Sequence, residues 1–354
     1  MQEYFVEELK ERDYLNYNDY LKKNSQSHYG HSLEIKNLII KYFKFKPRYL
    51  VAKRIDNHSI VGILPLFEAR SFIEGNRLIS IPFFPFGGVL GENHFCVELL
   101  LKKAQALINE NPSFKYLQIR QRVEITGEIS NSFVLQKPIT NFFLDLQGTE
   151  EQMFNSFDKR VRYDIRKARK ANLVVKILND EKILKDFYKV YLLTRKKRGL
   201  PAWPYRLFLD ALNQCDTNVA VTYFKDKPIA GCFLFLDKQT VEYAFAGTDY
   251  NYNNLSPYYL LLWNIICYGL KNNYKVLELG GSTEQMNDGG MYLFKRRLST
   301  RTEIVPYYFY ASDVKNIPQL TKSFNVYKLY GFIWSKLPKT IIKKISPFVM
   351  RQFS

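Results

Sequence analysis

The sequence predicts an α/β fold with mixed (α+β) sheets, built from two copies of one unit and followed by a basic amphipathic tail. Three observations predict it. The chain has 354 residues, enough for two domains that each bury a core of their own. Its 46% apolar and 24% charged residues are ordinary globular usage, which excludes a disordered or fibrous protein. One order of elements (hairpin, strand, long helix, short apolar strand) also occurs twice along the chain.

In the first copy, Tyr49–Ile55, a turn at Asp56–Ser59 and Ile60–Phe67 read as a β-hairpin. A helical pattern over Phe95–Asn109 leads from there to a strand at Lys115–Ile119. In the second copy the hairpin is Val219–Phe224, a turn at Lys225–Pro228 and Ile229–Phe235, and the helix Pro257–Asn272 leads to the strand Lys275–Leu279. The second strands of the two hairpins open alike, on Ile60-Val61-Gly62 and Ile229-Ala230-Gly231. Chance likeness between apolar hairpins is the competing account, because periodicity constrains few residues.

The boundary falls near the strand Phe142–Leu146, ahead of a helix that Thr149 caps and that Glu150 and Glu151 favour through its dipole. This gives domains at 1–141 and 142–312 and a tail at 313–354. After Asp313 the chain has no acid, and eight cations from Lys315 to Arg351 are interleaved with Phe332, Ile333, Trp334, Ile341 and Phe348. Two readings of the tail stay open: docking on an anionic membrane surface, and packing on the second domain.

Lys and Arg outnumber Asp and Glu by 52 to 34, a net +18 that attracts nucleic acid, anionic lipid or phosphorylated substrates. Cys96, Cys215, Cys232 and Cys267 form no CxxC pair, so neither a disulfide framework nor a metal site is signalled. All four histidines precede residue 100, which removes a local Ser-His or Cys-His base from the rest of the chain. The first residues, MQEYFVEELK, are acidic where a signal peptide is basic and apolar, and no apolar run reaches the roughly 20 residues that span a bilayer. The expectation is a cytoplasmic protein, peripheral on the inner face of the membrane under the docking reading of the tail.

Two stretches carry candidate chemistry. Lys159–Lys170 holds seven cations in twelve residues, opposed only by Asp164. As a helix it sets Arg162, Arg166, Arg169 and Lys170 on one face above Phe157, Val161, Ile165 and Ala168, a surface suited to phosphates. The second stretch runs from Leu279-Gly280-Gly281-Ser282 to Gly289-Gly290 and Phe294-Lys295, where paired glycines after a strand let backbone N–H groups approach an anion. A solvated helix and an ordinary flexible loop are the plain alternatives.

These residues resemble the Fem-type peptidoglycan-bridge aminoacyltransferases and their relatives, in which acetyltransferase-like (GNAT) domains occur in tandem. The resemblance rests on Ile60–Leu66 with Ile81–Gly88 in the first copy, and on Arg162-Tyr163-Asp164-Ile165-Arg166-Lys167-Ala168 and Gly280–Lys295 in the second. With no long helical arm in the sequence, it is closer to compact FemAB-like proteins with a BioF2-like domain than to the bridge enzymes. The resemblance implies transfer of an acyl or aminoacyl group to an amino group of a cell-envelope precursor, peptidoglycan or surface polysaccharide. It makes Lys295 the cation nearest the reacting carbonyl, with Arg162, Tyr163, Arg166 and Lys167 holding a phosphate or the acceptor beside Gly280, Gly281 and Ser282. Glu278 and Asp249 are the acids that would take the amine proton, each with a salt-bridging role as the alternative.

The chain departs from the family pattern in having Glu278-Leu279-Gly280-Gly281-Ser282 and Phe294-Lys295-Arg296-Arg297-Leu298-Ser299 where relatives show D-x-G-R-S and F-K-x-x-F-G. The stretch Asp249–Ser256, where acetyl-CoA enzymes carry a glycine-rich pyrophosphate loop, has no glycine. The donor is thus left between aminoacyl-tRNA and acyl-CoA, with a tRNA or other acyl carrier favoured. The reading from a different class is a non-catalytic RNA-binding or membrane-surface scaffold protein, supported by the charge and by 26 Tyr and 27 Phe.

Overall fold

The structure, a computed structural model, describes residues 3–72, 74–282, 290–319 and 331–352. Thr283–Gly289 of the glycine-bearing stretch and Lys322 and Lys328 of the tail lie outside the described residues. Residue contacts divide the chain into two compact units, Met1–Ile139 with Ile304–Thr321 and Phe348–Ser354, and Thr140–Glu303 with Lys322–Pro347.

The first unit contains β1 (Tyr4–Glu8), α1 (Tyr14–Lys23), α2 (Leu33–Phe43), β2 (Lys46–Pro47), β3 (Leu50–Arg54), β4 (Ile60–Leu64), β5 (Phe67–Ser71), β6 (Gly75–Ile79), β7 (Leu90–Gly91), α3 (His94–Asn109) and β8 (Phe114–Arg120). The predicted hairpin forms as β3–β4, but its second strand is shorter than expected. Pro65 has no N–H to continue a ladder, and the chain leaves one sheet at Leu64 and enters another at Phe67. One sheet has the order β1-β3-β4-β7. In the other, β8 pairs parallel with β6, and β6 antiparallel with β5. Helix α3 begins where Asn93 accepts from the Cys96 N–H, and it buries Leu100, Leu101 and Ala104 in this unit's core.

The chain enters the second unit within β9 (Val134–Asp145). There follow α4 (Glu150–Ser156), α5 (Lys159–Lys170), β10 (Val174–Leu178), α6 (Glu181–Lys197), α7 (Tyr205–Gln214), β11 (Thr217–Phe224), β12 (Lys227–Asp237), β13 (Thr240–Thr248), α8 (Pro257–Lys271), β14 (Val276–Ser282) and α9 (Gly290–Leu298). The β11–β12 turn is tighter than the expected four residues. Lys225 and Asp226 both take left-handed backbone, at φ 48° and 63°, the arrangement whose twist suits a two-residue hairpin. Strand order is β10-β11-β12-β13-β14-β9, antiparallel except for β13 with β14.

Alternation along β12 buries both faces of this sheet. Cys232 and Leu234 join the core with α5 and α8, while Phe233 meets Phe187 of α6 and Phe208 of α7. Gly247 of β13 lets α6 lie close, because a Cβ there would come within 2.5 Å of the Tyr191 backbone.

The element order repeats as expected, with α3 leading to β8 and α8 to β14. Residues 304–312 do not fall where the sequence reading places them. Strand β15 (Arg301–Tyr310) pairs Tyr307–Tyr310 with Arg120–Leu117 of β8, and Tyr308 packs in the first unit's core, so these residues group with that unit. In the tail, residues 331–336 are helical and α10 spans Lys339–Gln352. Trp334, Ile342, Ser346 and Met350 are buried.

Candidate active site

Strands β13 and β14 run side by side but pair at three positions only, Thr240 with Val276, Val241 with Leu277 and Glu242 with Glu278. Past that point β13 continues to Thr248 against β12, and β14 to Ser282 against β9. The two strands therefore part into a cleft whose facing edges carry no ladder among the described residues. A bulge accompanies the parting, since the register of β14 on β9 slips between Glu278 and Gly280. Gly280 takes φ +74°, which favours a residue without Cβ. A Cβ there would stand 3.6 Å from Lys295 Nζ, an ordinary contact, so the glycine answers to the backbone and not to lack of space.

Helix α9 brings Lys295 to this bulge, where Nζ donates to the Gly281 carbonyl at 3.0 Å. Burial holds the pKa of Lys295 down at about 8; Arg198 lowers it further, and Glu278 and Glu242 oppose the shift. Glu278 is fully buried and accepts from Asn141 Nδ2 at 2.8 Å. The carboxylate oxygens of Glu278 and the buried Glu242 come within 4.8 Å of one another. Adjacent buried carboxylates call for a nearby cation, and Lys295 is one whose charge both stabilise. Gly281 and Ser282 pair with Asn141 and Thr140 on β9.

The predicted cationic helix forms as α5, capped by Asp158, with Val161, Ile165 and Ala168 buried. Arg166 lies over the Phe154 ring at 5.2 Å, and Arg169 lies 5.7 Å from the rings of both Phe154 and Trp263. Lys167 is exposed, as is Tyr163, which has Arg160 at 5.6 Å from its ring. Arg162 is half-buried, and its Nε has no hydrogen-bond partner among the described residues.

Asp164, the one acid of this helix, is buried, accepts from Ser256 Oγ at 2.8 Å and pairs with Arg160 at 2.9 Å. Ser256 directly precedes α8, so a carboxylate of the chain itself is held at that helix N-terminus, where a bound anion is otherwise favoured. On α9, Phe294 meets the rings of Tyr258 and Tyr259 at 5.9 and 5.3 Å, which brings Lys295 and Arg297 toward the same end of α8.

Asp249 is not brought to Lys295. It accepts from the Asn251 N–H at 3.2 Å, capping the short 3-10 helix Tyr250–Leu255, and pairs with Lys227 at 3.3 Å. Six residues of β13 lie between it and Glu242, about 20 Å at the rise of a β-strand. Sequence reasoning missed Glu242, Asn141 and Arg198. Their link to Glu278 and Lys295 is strand register and helix packing, and no local motif marks them.

Residues 155–296, which hold α5, the parted strands and Lys295, match the family described as the acetyltransferase (GNAT) domain. This stretch is similar to GNAT-type acetyltransferase domains. The fold is shared over nearly the whole chain with the crystal structure of FemX, at TM-score 0.67 and 11% identity over 92% of this chain and 100% of that one. The C-terminal domain of a putative lysylphosphatidylglycerol synthetase from Agrobacterium fabrum is similar at TM-score 0.59 and 12% identity, over 89% and 95% of the two chains. A tandem GNAT protein from the clavulanic acid biosynthesis pathway is similar at TM-score 0.54 and 9% identity, over 90% and 100%. At these identities the likeness is one of fold. No curated protein matches the chain in sequence.

Proposed function

We propose that this GNAT-type acyltransferase moves an acyl or aminoacyl group from a carrier to an amino group of a cell-envelope precursor, within the cleft between β13 and β14. The observation that carries the reading is the meeting of Lys295, whose pKa is held at about 8, with buried Glu278 where the strands part. In the proposed step the acceptor amine attacks the carbonyl carbon of the donor ester or thioester. The Lys295 ammonium stabilises the oxygen that becomes negative, and the Glu278 carboxylate takes the proton released from nitrogen and returns it to the carrier oxygen or sulfur as its bond to the carbonyl carbon breaks. Asn141 fixes the Glu278 carboxylate by its hydrogen bond.

The donor end of the site favours aminoacyl-tRNA over CoA. The turn ahead of α8 has no glycine, is wound into a 3-10 helix and is tied to Asp164 through Ser256, so the N-terminus of α8 is already served by a carboxylate. The exposed face of α5, with Tyr163 among its arginines, suits a phosphate backbone and stacked bases. The likeness in fold to a putative lysylphosphatidylglycerol synthetase and to FemX supports an envelope acceptor.

The test is transfer from charged tRNA and from acetyl-CoA, side by side, to envelope-precursor amines. The expected result is turnover with tRNA that Lys295→Ala lowers by about 10²- to 10³-fold and Glu278→Gln by a similar factor. Salt-sensitive RNA binding without turnover would instead support the non-catalytic RNA-binding reading.

A further inference from the structure

The tail leaves an apolar face uncovered, and its chemistry names what covers it. Trp334, Ile342 and Ser346 anchor the segment, with Ser346 Oγ accepting from the Ala202 N–H at 2.9 Å, so the surface is fixed to folded protein. On the outward side Ile341, Lys344 and Phe348 succeed one another at helical spacing along α10, and the two apolar members are 42% and 57% exposed. In the preceding helical residues Phe332 and Ile333 are 66% and 55% exposed, and Lys336 lies over the Phe332 ring at 5.6 Å. Burial would place such residues on the inner stripe that Ile342, Ser346 and Met350 already fill.

Charge decides the occupant. Lys336, Lys339 and Lys344 stand exposed among these apolar side chains, and no acid follows Asp313 anywhere in the chain. An apolar face that carries exposed lysines complements a surface that offers hydrocarbon below a layer of negative headgroups. We infer that the tail docks the protein on an anionic lipid surface, with Phe332, Ile333, Ile341 and Phe348 entering the headgroup layer and the lysines contacting phosphates.

This inference stands apart from the transfer reaction, and its test needs no substrate. Full-length protein is sedimented with vesicles of phosphatidylglycerol and phosphatidylcholine, and with phosphatidylcholine alone. The expected result is binding to the mixed vesicles at least tenfold tighter than to the neutral ones. Lys336→Gln/Lys339→Gln/Lys344→Gln weakens it by roughly 100-fold, at about tenfold for each 1.4 kcal/mol and about 1 kcal/mol for each lysine. Phe332→Ser/Ile341→Ser/Phe348→Ser abolishes it while the melting temperature stays unchanged, since these side chains are exposed. Equal binding to both vesicles, or none to either, overturns the inference. So does a concentration-dependent dimer that the serine variant dissolves, which would make a second copy of the chain the occupant.

Discussion

Lys295 carries the argument at the scale of single residues because its ionisation lies within reach of ordinary pH. Desolvation disfavours the ammonium, Arg198 repels it, and Glu278 and Glu242 draw it back, with a pKa of about 8 as the outcome. Arg198 is exposed at the C-terminal end of α6, so Arg198→Ala removes the repulsion without opening a cavity. Its expected effect is to raise the Lys295 pKa above 8, read as an upward shift of the alkaline limb of the transfer rate. Gly280→Ala tests the bulge: a Cβ fits the space, so the cost is the left-handed backbone alone, about 1 to 2 kcal/mol in thermal unfolding. The nearness of Lys295, Glu278 and Gly280 to one another is legible because motif and strand sit close in sequence, while their roles in transfer belong to the proposal. For Asp249 the structure shows the salt-bridging alternative, with Lys227 as partner, and its capping bond to the Asn251 N–H depends on how the turn folds.

At the scale of elements, the two hairpins, the long helices α3 and α8, the cationic helix α5 and the short apolar strands β8 and β14 follow from periodicity and capping. What periodicity did not carry was partnership. Pro65 splits one predicted strand between two sheets, and β15 returns to the first unit through its ladder on β8; both outcomes depend on residues far away in sequence. The pairing of Glu242 with Glu278 is of the same kind. Two substitutions test the packing of elements. Gly247→Ala presses a methyl to within 2.5 Å of the Tyr191 backbone and should cost 3 kcal/mol or more, roughly the upper end of overpacking costs, in denaturant unfolding. Ser256→Ala takes from buried Asp164 its hydrogen bond at the start of α8, an expected loss of about 1.5 to 3 kcal/mol.

For the whole molecule, net charge sets the environment in which the site works. The +18 of the chain gathers polyanions, and any tRNA or vesicle binding should weaken steeply with salt. Stability against acid rests on particular carboxylates. Glu7 accepts from Lys10 and Lys53, which hold its pKa down at about 2, and Lys53 also pairs with buried Asp13 at 2.7 Å. A depressed carboxylate pKa contributes stability above its unfolded value near 4.5 that is lost as pH falls toward 2. The first unit should therefore melt progressively earlier across that window. Lys53→Met, which leaves Asp13 buried without this partner, should cost about 3 to 5 kcal/mol at neutral pH. Among the described residues no helix is long and apolar enough to cross a membrane.

The central claim is that a Lys295 ammonium in the cleft between β13 and β14 stabilises the charge formed during acyl transfer. The most direct measurement is the pH dependence of single-turnover transfer by the protein and by Lys295→Arg. The account predicts a rate that falls as pH rises through about 8, as the ammonium is lost, and a limb displaced to higher pH in the arginine variant. A rate unchanged across pH 8 in the unsubstituted protein, or an arginine variant with the same limb, would contradict it.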